Sequence, residues 1–236
     1  MRNVRVLLLA LAWLGPLAPD PLWADVHLGM GLRVGEVTGT SAIVWTRVTA
    51  SAGRNETGYR EPKKRTRRIK MYVPSKRPLS SRQGEIDGAA GEVRVHWAEM
   101  GKANTRKTLP WVGVRAEQDF IHQFAITGLQ PGRTYRVSVE AREKPGENIT
   151  ATASGTFRTP CPPDISQDVT FTVVTGQSYW DLDDPAGYQI YPAMAKLKPH
   201  FVVPTGDTVY LDSEAPRART VGLARYHWHR MYSLPR

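Results

Sequence analysis

Apolar and polar residues alternate along most of the first two thirds of the chain. Leu32-Arg33-Val34-Gly35-Glu36-Val37 alternates, as does Ala42-Ile43-Val44-Trp45-Thr46-Arg47-Val48, with Thr38-Gly39-Thr40-Ser41 as the turn between them. The pattern recurs in Glu92 to Trp97, Phe120 to Ile126, Tyr135 to Ala141 and Ile149 to Phe157. A strand with this period buries one face and wets the other, so short runs punctuated by Gly, Pro and Ser predict an antiparallel sandwich. After residue 168 the pattern changes. Val169 to Thr175 is a β-branched run with no polar face, and Phe201-Val202-Val203 is a second apolar run. Between them Ile190, Tyr191, Met194 and Leu197 fall at helical spacing within Gly187 to Lys198. Strand, helix, strand predicts a βαβ unit with parallel strands buried on both faces. Both strands run into glycine, at Thr175-Gly176-Gln177 and Thr205-Gly206-Asp207. Ligands of open α/β sheets collect at such carboxyl ends.

Gly128-Leu129-Gln130-Pro131-Gly132-Arg133-Thr134-Tyr135 leads directly into an alternating run. This Leu-x-Pro-Gly-x-x-Tyr turn resembles the tyrosine corner of fibronectin type III-like domains, in which the tyrosine hydroxyl bonds back to the backbone. Gly155-Thr156-Phe157-Arg158-Thr159 resembles the last strand of such a module, and Trp45 is expected as its buried core aromatic.

With 236 residues there is room for one large domain or two modest ones. A composition of 41% hydrophobic and 23% charged residues excludes a polytopic membrane protein and a wholly disordered chain. Cys161 is the only cysteine, which excludes an internal disulfide and any multi-cysteine metal site. It lies in Thr159-Pro160-Cys161-Pro162-Pro163-Asp164, read as a stiff joint, with no neighbour to activate the thiol. Arg2 and Arg5, the apolar run Val6 to Leu14 and Leu22-Trp23-Ala24 have the order of a secretory leader, cleaved near Ala24. Nine apolar residues cannot cross about 30 Å of hydrocarbon, so no transmembrane segment is expected there.

Net charge is +10, and almost all of it sits in an insertion, residues 54–82, with eleven Lys or Arg and two Glu. Lys63, Lys64, Arg65, Arg67 and Arg68 form its centre. Two readings stay open: a patch for anionic polymers, or a solvated loop that repels itself. No recognition helix, zinc finger or aromatic–basic interleaving points to specific nucleic-acid binding.

Lys198-Pro199-His200-Phe201-Val202-Val203 followed by Gly206-Asp207-Thr208-Val209-Tyr210 resembles the Gly-Asp-x-x-Tyr metal motif of the alkaline phosphatase D (PhoD-like) family of calcineurin-like metallophosphoesterases. Tyr188 to Met194 resembles its preceding helix, and Arg225 to Tyr232 the helix after its metal loop. Gly31 to Thr38 and Trp45-Thr46-Arg47 resemble the opening of its N-terminal all-β domain. The resemblance implies an exported enzyme that hydrolyses phosphate esters with iron and calcium. By it Asp207 bridges the metals and Tyr210 binds iron as phenolate. The family's cysteine ligand falls on Gly176, and Gln177, though retained, is a poor substitute for a thiolate. Its later ligands lie on strands beyond Arg236.

The expected fold is therefore mixed. A fibronectin III-like β-sandwich (28–159) is followed by a linker (160–168) and a partial α/β metallophosphoesterase-like layer (169–236). A truncated, weakly active or inactive phosphatase is the first reading. A non-catalytic secreted module that binds polyanions through its insertion is the alternative. His227 and His229 are expected as solvated residues of one helix, since i and i+2 point about 200° apart and cannot readily share a metal. Asp181-Leu182-Asp183-Asp184-Pro185 fails as a calcium loop, with Ala186 and Pro192 at its sixth and twelfth positions, and Asp184 is expected as a helix N-cap. Asn55-Glu56-Thr57 and Asn148-Ile149-Thr150 are glycosylation sequons, which matter only in a eukaryotic secretory pathway. The polyanion reading has a direct consequence. Neutralising Lys63, Lys64, Arg65, Arg67 and Arg68 together should abolish retention on heparin, and the native chain's retention should fall steeply with salt.

Overall fold

A computed structural model describes residues 25–61 and 76–235. The expected leader and the centre of the basic insertion, including Lys63, Lys64, Arg65, Arg67 and Arg68, lie outside the described residues. Two antiparallel sheets face each other. The smaller joins β1 (Leu32–Gly35), β2 (Ser41–Arg47) and β6 (Ile121–Thr127) in that order. The larger runs β4-β3-β7-β8, from β3 (Gly91–Glu99), β4 (Lys107–Thr108), β7 (Thr134–Arg142) and β8 (Ala151–Arg158). A short β5 (Val112–Val114) also pairs with β3.

Alternation decides which side chains enter the core. Val93, Val95 and Trp97 of β3 face Val137, Val139 and Ala141 of β7, and all are buried. Ala42 and Val44 of β2 pair in register with Ile126 and Phe124 of β6 on the opposing sheet. The tyrosine corner is present. Tyr135, 5% exposed, stacks on Phe157, and its hydroxyl accepts the Gln130 N–H at 2.7 Å.

Trp45 does not enter the core. The alternation that turns Val44 inward turns Trp45 outward, and Trp97, Phe124 and Tyr135 are the core aromatics instead. On the outer face Arg33 lies opposite Trp45 in register, its guanidinium 5.1 Å from the Trp45 ring centre and 4.5 Å from that of Tyr232.

The C-terminal region holds a parallel pair, β9 (Phe171–Val174) and β10 (Phe201–Pro204), with α1 (Ile190–Lys196) between them in sequence. Burial of these strands on both faces is not observed. Phe171, Val173, Phe201 and Val202 are each about half exposed, because only two strands lie side by side. Phe171 stacks on Phe201 with ring centres 5.3 Å apart.

Helix α2 (Val221–Tyr232) is N-capped by Thr220, whose hydroxyl accepts the Leu223 N–H at 3.2 Å. The expectation of solvated histidines fails here. His227 and His229 are 1% and 6% exposed, because α2 packs against the outer face of the smaller sheet and the 82–87 segment. His229 donates Nε2–H to Asp119 and Nδ1–H to Glu85, each at 2.7 Å, and Asp119 accepts Arg47 Nη2 at 3.2 Å. Burial alone would lower the His229 pKa, but its hydrogen bonds to the two carboxylates outweigh it and raise it. The neighbouring His227 is the opposite case. Burial, then the Arg230 charge, pull its pKa down to about 3. It is neutral, with Nε2–H donating to the Pro216 carbonyl at 2.5 Å and Nδ1 accepting from Arg230 at 2.8 Å.

Two outcomes follow. Tyr135→Phe removes the acceptor for the Gln130 N–H and should cost about 1–3 kcal/mol in urea unfolding. The histidines set opposite pH limbs. His229, with its pKa raised, stabilises fully below about pH 6.5 and loses that contribution as pH rises through its folded value. His227, with its pKa depressed, stabilises above about pH 6.5 and loses that contribution as pH falls toward its folded value. Thermal unfolding across pH should therefore show the gap between wild type and His229→Asn narrowing above about pH 6.5.

Candidate functional site

The carboxyl ends of β9 and β10 lead into two loops that meet. Thr205 N–H donates to the Val174 carbonyl and Gln177 N–H to the Asp207 carbonyl, each at 2.9 Å. Gly176 has φ +70° and Gly206 +131°, left-handed conformations that glycine adopts without strain. Asp207 is itself at φ +50°, and aspartate is among the few other residues that tolerate this region.

Tyr210 donates its hydroxyl hydrogen to Asp207 Oδ2 at 3.1 Å. A Cβ added at Gly176 would sit 3.9 Å from the Tyr210 hydroxyl oxygen. The three positions singled out from sequence thus converge on one spot, from two loops about thirty residues apart in the chain. Desolvation first, then the bond to Asp207, raise the Tyr210 pKa, so it stands as a phenol that donates.

These residues do not fit a pair of metal ions. Asp207 and Tyr210 supply one carboxylate and one phenol, and Gly176 supplies no side-chain donor. The Gln177 side-chain amide is already bonded to the Tyr191 hydroxyl. Among the described residues no group of three or more His, Cys, Asp or Glu could hold a metal. Two side chains can at most weakly hold one cation, since each ion of a dinuclear site needs several ligands.

The other candidates have structural tasks. Asp184 does not cap α1; its Oδ1 accepts the Ala186 N–H at 2.8 Å, closing a turn before the helix. Asp183 Oδ2 accepts the Gln189 N–H at 2.7 Å, next to the first residue of α1. His227 and His229 point to different partners and share no ligand. Cys161 Sγ lies 2.9 Å from Gln167 Oε1.

The described flanks of the basic insertion are part solvated, with Arg60, Lys76 and Arg77 exposed, and part anchored. Arg82 pairs with the buried Glu61 at 2.8 Å, Arg54 donates to the Arg230 carbonyl at 2.9 Å, and Arg60 lies 4.6 Å from the Trp180 ring centre. Sequence reasoning gave no role to Glu85, Asp119, Glu214 or Arg230, which turn out to be the partners of α2 and of the site loops. Arg47 was visible only as part of the alternating Ala42–Val48 run and of the Trp45-Thr46-Arg47 resemblance.

Residues 17–161 match the PhoD-like phosphatase, N-terminal domain. A solved structure of PhoD superposes with a TM-score of 0.59 at 17% identity, over 92% of this chain and 37% of that one. The chain thus spans little more than a third of that protein's length. A two-domain fibronectin type III segment of chicken tenascin is 16% identical, with a TM-score of 0.30 over 55% of this chain and 47% of that one. The anti-sigma factor RsgI4 sensor domain of Pseudobacteroides cellulosolvens is 13% identical, with a TM-score of 0.32 over 61% of this chain and all of that one. Comparison with curated proteins gave no match. The matched domain covers more than half of the chain, which belongs to the PhoD-like phosphatase family through it.

Proposed function

We propose that this chain is the exported N-terminal part of a PhoD-like phosphoric ester hydrolase, joining the family's β-sandwich to the opening of its catalytic α/β layer. The division runs as the sequence pattern places it, with the sandwich over 28–159, a joint over 160–168 and the α/β layer from 169. One observation carries the reading. Gly176, Asp207 and Tyr210 meet at the carboxyl ends of two parallel strands, where open α/β sheets bind ligands. The chain's likeness to the PhoD-like family supports phosphate esters as the substrate class, with iron and calcium the metals that resemblance implies. Since the residues present do not fit a metal pair, no catalytic step is assigned to this chain. Asp207 and Tyr210 are one edge of a site whose other donors must come from elsewhere.

The test is hydrolysis of p-nitrophenyl phosphate and bis-p-nitrophenyl phosphate by purified 25–236 with calcium and iron, beside Asp207→Ala. Turnover should stay at background in both. Robust turnover that Asp207→Ala eliminates would overturn the incomplete-site reading.

A further inference from the structure

Two backbone bonds join the site loops, Gln177 N–H to the Asp207 carbonyl lying nearest the cluster. Two longer hydroxyl bonds run beside them, Thr205 Oγ1 to the Val174 carbonyl at 3.2 Å and Thr175 Oγ1 to the Gly206 carbonyl at 3.4 Å. That is little to hold two glycine-containing, largely exposed loops. A stronger tie lies behind them. Glu214, on the segment that follows Tyr210, is 5% exposed. Its Oε1 is buried with no hydrogen-bond partner among the described residues, so its link to the other loop runs through the cation that faces Oε2.

A carboxylate there would resist burial without a countercharge. Arg230 of α2 supplies it, with Nη2 at 2.6 Å from Glu214 Oε2 and Nη1 donating to the Ala215 carbonyl at 3.1 Å. The same guanidinium lies 4.5 Å from the ring centre of Tyr179. One planar cation therefore touches both loops and fixes both to the helix. His227 completes the arrangement from one turn away. It accepts from Arg230 and donates to Pro216, leaving the guanidinium little freedom to swing.

We propose that Arg230 and Glu214 are positioning residues that set the register of the two site loops, and so the placement of Gln177 and Asp207. The significance of that placement rests on the phosphoester reading above; the clamp itself is independent of it. Lysine at 230 would keep the charge and one bond to Glu214 but lose the fork that also reaches the Ala215 carbonyl.

The readout is amide hydrogen exchange in the full chain, followed at Gln177, whose N–H crosses between the loops. Arg230→Met and Glu214→Gln should each speed its exchange at least tenfold, while Val95 and Val139 in the sandwich core keep wild-type rates. Arg230→Lys should restore part of the protection. The double variant should lose little more than either single one, because both remove the same tie. Unchanged exchange at Gln177, or acceleration spread evenly over the core strands, would overturn the proposal. Should Arg230→Met fail to fold, the isosteric Glu214→Gln decides alone. Phosphatase assays play no part in this result. Asp207-dependent turnover by the chain would sink the incomplete-site reading while leaving the clamp standing.

Discussion

An imidazolium between a buried carboxylate, Glu85, and a half-buried one, Asp119, holds α2 to the sandwich. Along Arg47, Asp119, His229 and Glu85 the charges alternate in sign, so the chain of side chains is neutral as a whole and each ion faces an opposite one. Removing one member of such a set costs about 3–5 kcal/mol, because it leaves a charge buried without a partner. Much else hangs on this contact. With α2 seated, Tyr226 reaches the Gln83 carbonyl at 2.8 Å and Arg230 reaches the loops beyond β9 and β10. The helix is the bracket between the β-sandwich and the candidate site.

Most of the sandwich was legible because a period of two encodes a face directly. The tyrosine corner was legible for a different reason. Proline and glycine at fixed offsets specify a turn, and the tyrosine beyond it can then reach only one stretch of backbone. What alternation does not encode is which outer face another element will cover. Trp45 was misplaced on that account: it belongs to the outer face of β2, and its neighbours there are Arg33 and the crevice beneath α2. His227 and His229 failed similarly. A helix rich in Arg, His and Tyr reads as wet, and only the acceptors on distant segments make its burial tolerable.

The candidate site was legible in its placement and not in its completeness. Apolar runs ending in glycine correctly gave two parallel strands with loops at a shared end. Gly176, Asp207 and Tyr210 do converge there, yet a glycine in place of a thiolate and a glutamine bonded to Tyr191 leave too few donors for two metals. Glu214 and Arg230 carried no local pattern at all. Their pairing is set by the third dimension alone, as a salt bridge between a loop and the helix that follows it.

The bridge through His229 joins residues 110 and 144 positions apart. A ribosome makes both sheets well before it makes His229. During that interval the strands of the sandwich can pair and Arg47 can find Asp119, but Glu85 has no imidazolium and the Trp45 face lies bare. The nascent sandwich is thus left with a sticky, charge-unbalanced flank, which is sealed only when α2 emerges. A chaperone that shields one side of the young domain would have most to do on that flank.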